Sequence, residues 1–135
     1  MIYTNQYPIC EFDTERKGVI CAEDLFEKTL PEKCVLTFFR KELNAFVQEN
    51  NLMQIGEMHS EIVDIPIWLY EKDGDKIAVT MPFQCSAGAV STVEELYARG
   101  CEKFIICGGA GSLIQGAKVG EIMLPTAAVR DEGAS

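Results

Sequence analysis

The sequence predicts an α/β fold, a mixed β-sheet flanked by helices, and two stretches carry the prediction. Ala87–Arg99 has apolar residues at helical spacing and is followed by the apolar run Lys103–Cys107 and then by Gly108-Gly109-Ala110-Gly111-Ser112. A helix, a buried strand and a glycine loop in that order form the repeating unit of an α/β sheet. Upstream, IWLYEKDGDKIAVTM places Asp73-Gly74 between two β-rich runs. Asp-Gly supports a tight hairpin because glycine tolerates positive φ. An antiparallel hairpin beside a helix-connected strand makes the sheet mixed.

The elements follow in order. Ala22–Thr29 predicts a short helix. Lys33–Phe39 (KCVLTFF) is a short apolar, β-branched and aromatic run after charged residues, the pattern of a buried strand. Lys41–Asn51 sets Leu43, Phe46 and Val47 on one helical stripe. Glu61–Asp64, Ile67–Lys72 and Lys76–Met81 are candidate strands. Ala89, Val90, Val93, Leu96 and Tyr97 share one face of helix 87–99, and Gly100 ends it. Lys103–Cys107 reads as a second buried strand. Glu121–Leu124 and Thr126–Arg130 are two further short strands, with Pro125 breaking between them.

The chain has 135 residues, of which 47% are hydrophobic and 24% charged, the balance of one globular domain. Its formal net charge of −9 opposes a phosphodiester backbone and argues against nucleic acid as a partner. A small anion remains possible where backbone N–H groups or a placed arginine meet it. The six cysteines, at positions 10, 21, 34, 85, 101 and 107, form no C-x-x-C pair, so zinc spacing is absent. Cys34 and Cys107 lie in apolar runs and read as buried free thiols of a reducing compartment. MIYTNQYPICEFD lacks a basic region followed by an apolar stretch, and no apolar run is long enough to span a bilayer. A cytoplasmic location and no membrane partner are therefore expected.

Gly108–Ser112 is the candidate chemical site. Ligands of open α/β sheets collect beyond the carboxyl ends of the strands. Glycines admit close approach, and successive N–H groups can form an anion nest. The loop fits neither the P-loop nor the G-x-G-x-x-G pattern, and spacing alone favours a ligand-free strand-to-loop turn. His59, the only histidine, lies in the polar stretch GEMHSE and reads as a surface or subunit-contact residue rather than a general base.

Residues 94–135, EELYARGCEKFIICGGAGSLIQGAKVGEIMLPTAAVRDEGAS, combine several features. A Glu-Leu helix and a Gly precede an apolar strand. The strand opens into Gly-x-x-Gly-Ser-Leu, then Val-Gly-Glu-Ile, then Pro-Thr-x-x-Val-Arg-x-x-Gly-Ala-Ser. This order resembles the purine/uridine (nucleoside) phosphorylase superfamily. The likeness extends back to about Ile65 and more faintly to 33–39. The resemblance implies a phosphorylase/hydrolase-like α/β domain that releases free base and ribose 1-phosphate by phosphorolysis. It implies inorganic phosphate as co-substrate, no metal or organic cofactor, and a homo-oligomer.

The family pattern assigns the phosphate loop to Gly108, Gly109, Gly111 and Ser112. It assigns Arg130 to a substrate loop or to a structural ion pair. The chain departs from the pattern in three places. Ile106 stands where many members carry a phosphate-binding Arg. Phe38-Phe39-Arg40-Lys41-Glu42-Leu43 replaces a Gly-Asp-Pro-x-x-Arg loop, leaving Arg40 as a shifted anion contact. Phe83-Gln84-Cys85-Ser86-Ala87 replaces Gly-x-Gly-x-Pro. The resemblance also covers only the N-terminal portion of the family's domain. The residues that hold ribose and protonate the base come later in the pattern and match nothing here. The expectation is thus a single truncated domain over 1–135, inactive alone. Half of a split enzyme, with the missing C-terminal half as its partner, and a non-catalytic binding or oligomerisation protein are the alternatives.

Overall fold

The computed structural model describes residues 17–129, 131 and 133. Its elements are α1 (Ala22–Leu25), β1 (Lys33–Thr37), α2 (Arg40–Glu49), β2 (Met53–Met58), β3 (Ile65–Lys72), β4 (Asp75–Thr80), α3 (Cys85–Ala98) and β5 (Lys103–Cys107). The five strands form one sheet in the order β2-β3-β4-β1-β5. β1 pairs in parallel with both β4 and β5, while β2-β3 and β3-β4 pair antiparallel. The expected mixed α/β sheet is therefore present.

The β3-β4 hairpin is built as its turn chemistry dictates. Lys72 pairs with Asp75, leaving Asp73 and Gly74 as a two-residue loop with φ of 53° and 86°. Two positive φ values make the turn whose twist matches that of the strands. α3 ends on Gly100 at φ 115°, where the Gly100 N–H donates to Tyr97 O and the Cys101 N–H to Leu96 O. This paired hydrogen bond closes the helix and turns the chain into β5.

Alternation along the strands sorts the side chains onto two faces. Cys34, Leu36, Ile67 and Ala78 face α3, and with Leu96, Met58, Leu30 and Cys101 they make the core. Two buried hydroxyls on this side are satisfied. Thr80 donates to Pro66 O at 2.8 Å, and Thr92 donates to Gly88 O at 2.9 Å while accepting the Phe83 N–H at 3.0 Å. The opposite face carries Val35, Ile77, Val79 and Tyr70 beneath α2. There Leu43 is buried and Phe46 meets Tyr70 edge-on at 5.0 Å. α1 is held to the end of α3: the Thr29 and Leu30 N–H groups both donate to Arg99 O, and the Arg99 guanidinium stacks 4.5 Å from the Phe26 ring.

Several expectations are corrected. The helix expected over Ala22–Thr29 is a single turn, because Thr29 and Leu30 give their N–H groups to Arg99 instead. β1 stops at Thr37, and Phe38 and Phe39 are 40% and 41% exposed. Glu61–Asp64 is a bend fixed by Ser60 Oγ, which accepts the Ile62 and Val63 N–H groups. β2 was not expected: Met53–Met58 carries a glycine and a bulge between Gln54 and Gly56, which conceal the alternation. On α3 the stripe is only partly buried, with Leu96 enclosed but Val90 and Tyr97 exposed. β5 occupies its expected residues but is an edge strand among the described residues, where Cys107 is exposed instead of buried. Glu121–Leu124 and the described part of 126–130 form no strand; among the described residues the backbone hydrogen bond made there is local, from the Glu121 N–H to Lys118 O. Among the described residues no helix is long and apolar enough to cross a membrane.

Candidate functional site

β1, β4 and β5 run in parallel and end at the same side of the sheet, at Thr37, Thr80 and Cys107. Thr37 and Cys107 are register partners, and the Phe38 N–H donates to Cys107 O at 2.9 Å. That hydrogen bond ties the turn after β1 to the glycine loop after β5. Thr37 Oγ1 accepts the Phe39 N–H at 3.2 Å, and Phe39 then opens α2 by accepting the Leu43 N–H at 2.9 Å. The first-turn N–H groups of α2 have no intrahelical acceptor, and no side chain caps them. A helix start at the carboxyl edge of a parallel sheet carries partial positive charge.

The glycines differ in what they do. A Cβ on Gly108 would lie 3.3 Å from Phe38 Cδ2, and one on Gly109 would lie 3.5 Å from Phe39 Cε1. Gly108 thus permits a close approach to the aromatic pair, while Gly109 has ordinary contact room. Gly111 has open space around it, and none of the three has positive φ. Ser112 uses its hydroxyl locally, accepting the Ile114 N–H at 3.1 Å and donating to Ile114 O at 3.3 Å. The loop therefore splits: Gly108 and Gly109 join the turn after β1, whereas Gly111 and Ser112 extend into solvent.

Arg40 is the first residue of α2, directly after Phe39, is exposed, and makes no ion pair among the described residues. Its shifted position brings it to the same edge as Gly108 and Gly109. Ile106 faces α3 with Val90, Val93 and Tyr97, whereas Cys107 faces α2. Arg130 lies outside the described residues.

A cleft of about 410 Å³ opens between α2 and the sheet. Its apolar floor includes Val35, Ile77 and Val79, and Thr37, Glu42 and Cys107 are its polar and thiol-bearing lining residues. Sequence reasoning passed over Thr37 and Cys107. The available signal was that each closes a parallel strand, where α/β ligands collect. Cys85 is a second residue of interest. It stands at φ 69° as the first residue of α3, so the backbone takes a left-handed conformation at a side-chain-bearing residue.

His59 is excluded from the site by topology. It follows β2, four strand spacings from β5, or about 19 Å. Its Nδ1 lies 2.9 Å from Asp64 Oδ1 and its Nε2 3.5 Å from Glu57 Oε1, all three exposed. The hydrogen bond to Asp64 is the main cause raising its pKa above the ordinary 6.5. Among the described residues no group of three His, Cys, Asp or Glu side chains could hold a metal.

The family model described as the Phosphorylase superfamily matches residues 32–135. Comparisons with curated proteins and with solved structures each found no match. The family match takes in the whole sheet, the turn after β1 and the glycine loop, and the chain belongs to the phosphorylase superfamily.

Proposed function

We propose that this chain supplies the phosphate side of a nucleoside phosphorylase site and does not turn over nucleosides by itself. In the reaction, a phosphate oxygen attacks the anomeric carbon and the glycosidic bond to the base breaks. The products are ribose 1-phosphate and a base that takes up a proton. The transition state is oxocarbenium-like, so catalysis comes from holding phosphate in line and stabilising the departing base. Inorganic phosphate is the co-substrate, and the reading needs no metal or organic cofactor.

The observation that carries the reading is the convergence of Gly108 and Gly109, the turn at Phe38-Phe39 and the uncapped start of α2 with Arg40 at one sheet edge. Backbone N–H groups, a helix start and a guanidinium form a donor set suited to a phosphate dianion. Inactivity of the chain alone is supported by the ribose-holding and base-protonating roles, for which no residue matches the family pattern.

Two observations favour a second reading, a non-catalytic binding protein of the same fold. Ile106 replaces an arginine of the family pattern, and Cys85 replaces a glycine while keeping positive φ. The test is phosphate-dependent cleavage of inosine, guanosine, adenosine and uridine by the purified chain, with bases separated by chromatography. No release is expected. Base release only with phosphate present would overturn the claim of an incomplete site. Failure of Arg40→Ala to weaken phosphate binding by the chain would remove the phosphate-side assignment and leave the second reading.

A further inference from the structure

We propose that Cys34 and Cys101 are an oxidisable dithiol, which a hydroperoxide converts to a disulfide that fastens the start of β1 to the chain leaving α3. Both are free thiols, and they meet in the core at 2% and 0% exposure, in one cluster with Leu30, Leu36 and Leu96. The Cys34 thiol donates a hydrogen bond to the Cys101 sulfur. Their backbones are joined next door, where the Glu102 and Lys103 N–H groups both donate to Glu32 O, at 2.8 and 2.9 Å. Cys101 is fixed from the other side as well, its own N–H donating to Leu96 O at 2.9 Å. The pair lies at the ends of β1 and β5 away from Thr37 and Gly108, so it stands apart from the phosphate reading.

The hydrogen bond divides the roles. Giving its proton to that bond pushes the Cys34 thiol well above the usual range, and burial adds to the rise. Receiving the bond lowers Cys101, against the effect of burial. Cys101 is therefore the member that forms a thiolate, and the thiolate is the nucleophile. Its sulfur attacks one oxygen of the hydroperoxide and the O–O bond breaks. Water or an alcohol leaves with the Cys101 proton, and Cys101 becomes a sulfenic acid. The Cys34 sulfur then attacks the Cys101 sulfur, and the S–OH bond breaks. Hydroxide leaves with the Cys34 proton as water. Each sulfur gives up one electron in total, and the peroxide bond takes both.

Burial selects the oxidant. Leu30 packs in the same cluster, and its segment is tied down by the Thr29 and Leu30 N–H groups, both donating to Arg99 O at 2.9 Å. Hydrogen peroxide is scarcely larger than water and reaches the sulfurs through small openings. A bulky disulfide reagent must wait for that segment to lift, a local unfolding step. The bond closes a loop that contains α2, β2, β3, β4 and α3, and so restricts the unfolded chain far more than the folded one.

The test adds hydrogen peroxide to the purified, folded chain, alkylates the remaining thiols under denaturing conditions, and maps the cysteines by trypsin digestion and mass spectrometry. Trypsin releases Cys34 in Cys34–Arg40 and Cys101 in Gly100–Lys103, each without a second cysteine. A crosslink joining these two peptides is expected from the folded chain, against scattered pairings from the chain in urea. The oxidised chain is expected to melt on the order of 10 °C higher, and a dithiol reductant to reverse the rise. Cys34→Ala is expected to leave Cys101 without a resolving thiol, so that it passes on to sulfinic acid. Recovery of both wild-type peptides uncrosslinked, with Cys85 and Cys107 already oxidised, would overturn the proposal, since the buried pair would then be a packing contact only. A crosslinked chain that melts at or below the reduced one would overturn the fastening, because the bond would then distort the native core.

Discussion

β1 and β5 are near twins in sequence and opposites in environment. Lys33-Cys34-Val35-Leu36-Thr37 and Lys103-Phe104-Ile105-Ile106-Cys107 pair in parallel, residue for residue, each beginning with lysine. In β1, Cys34 is 2% exposed and Leu36 is 0% exposed, whereas Ile105 and Ile106 remain mostly in solvent. The difference lies in the neighbours. β1 has β4 on one side and β5 on the other, with α3 over one face. β5 has β1 alone. A continuous apolar run states that a strand suits burial on both faces. It does not state that anything covers it.

The largest expected effect breaks or confirms that contrast directly. Leu36→Ala removes a fully enclosed side chain and is expected to destabilise the chain by about 3 kcal/mol. Ile106→Ala, on the paired position of β5, is expected to cost less than about 1 kcal/mol in the monomer. Urea unfolding measures both. Equal losses would mean that β5 is covered in solution by something the isolated chain provides.

A smaller effect sharpens the comparison at the loops that follow parallel strands. The turn after β4 forces Cys85 to φ 69°, while the glycine loop after β5 uses no positive φ at Gly108, Gly109 or Gly111. Cys85→Gly is expected to stabilise by about 1 kcal/mol, by relieving the left-handed penalty, offset in part by added freedom of the unfolded chain. A lower thermal midpoint for this variant would show that the thiol makes a contact worth more than the strain.

The smallest effect concerns the opposite edge, where β2 runs into His59. Asp64, then Glu57, holds the folded pKa above 6.5. Because the folded value is raised, the contribution is fully present below the unfolded value near 6.5. It is lost as pH rises through the higher folded value. His59→Gln is expected to flatten the pH dependence of the thermal midpoint in that window. A midpoint that changes with pH identically in the variant would exclude His59 as its source.

Local chemistry was legible wherever the cause is local. Asp73-Gly74 specified its turn through positive φ, Gly100 closed α3, and Leu43 and Phe46 marked the inner stripe of α2. The ends of β5 were read to the residue because Lys103 and Gly108 bracket the apolar run 104–107. Of the candidate site, the glycine loop was legible as a motif. Its union with Phe38, Phe39 and the Arg40 turn was not. That union rests on the Phe38 hydrogen bond to Cys107, made between residues 69 apart in the chain.

The sequence by itself determined the α/β class, the hairpin, the helix ends and the family pattern, since periodicity, glycine conformation and motif order are properties of short stretches. The tertiary structure alone decided that β2 joins the sheet despite its bulge and that β5 is an edge among the described residues. It also decided that Glu121–Leu124 forms no strand and that His59 stands four strands from the glycine loop. Each of these depends on which backbone lies alongside to accept a hydrogen bond, and strand pairing joins residues too distant in sequence for any local pattern to specify.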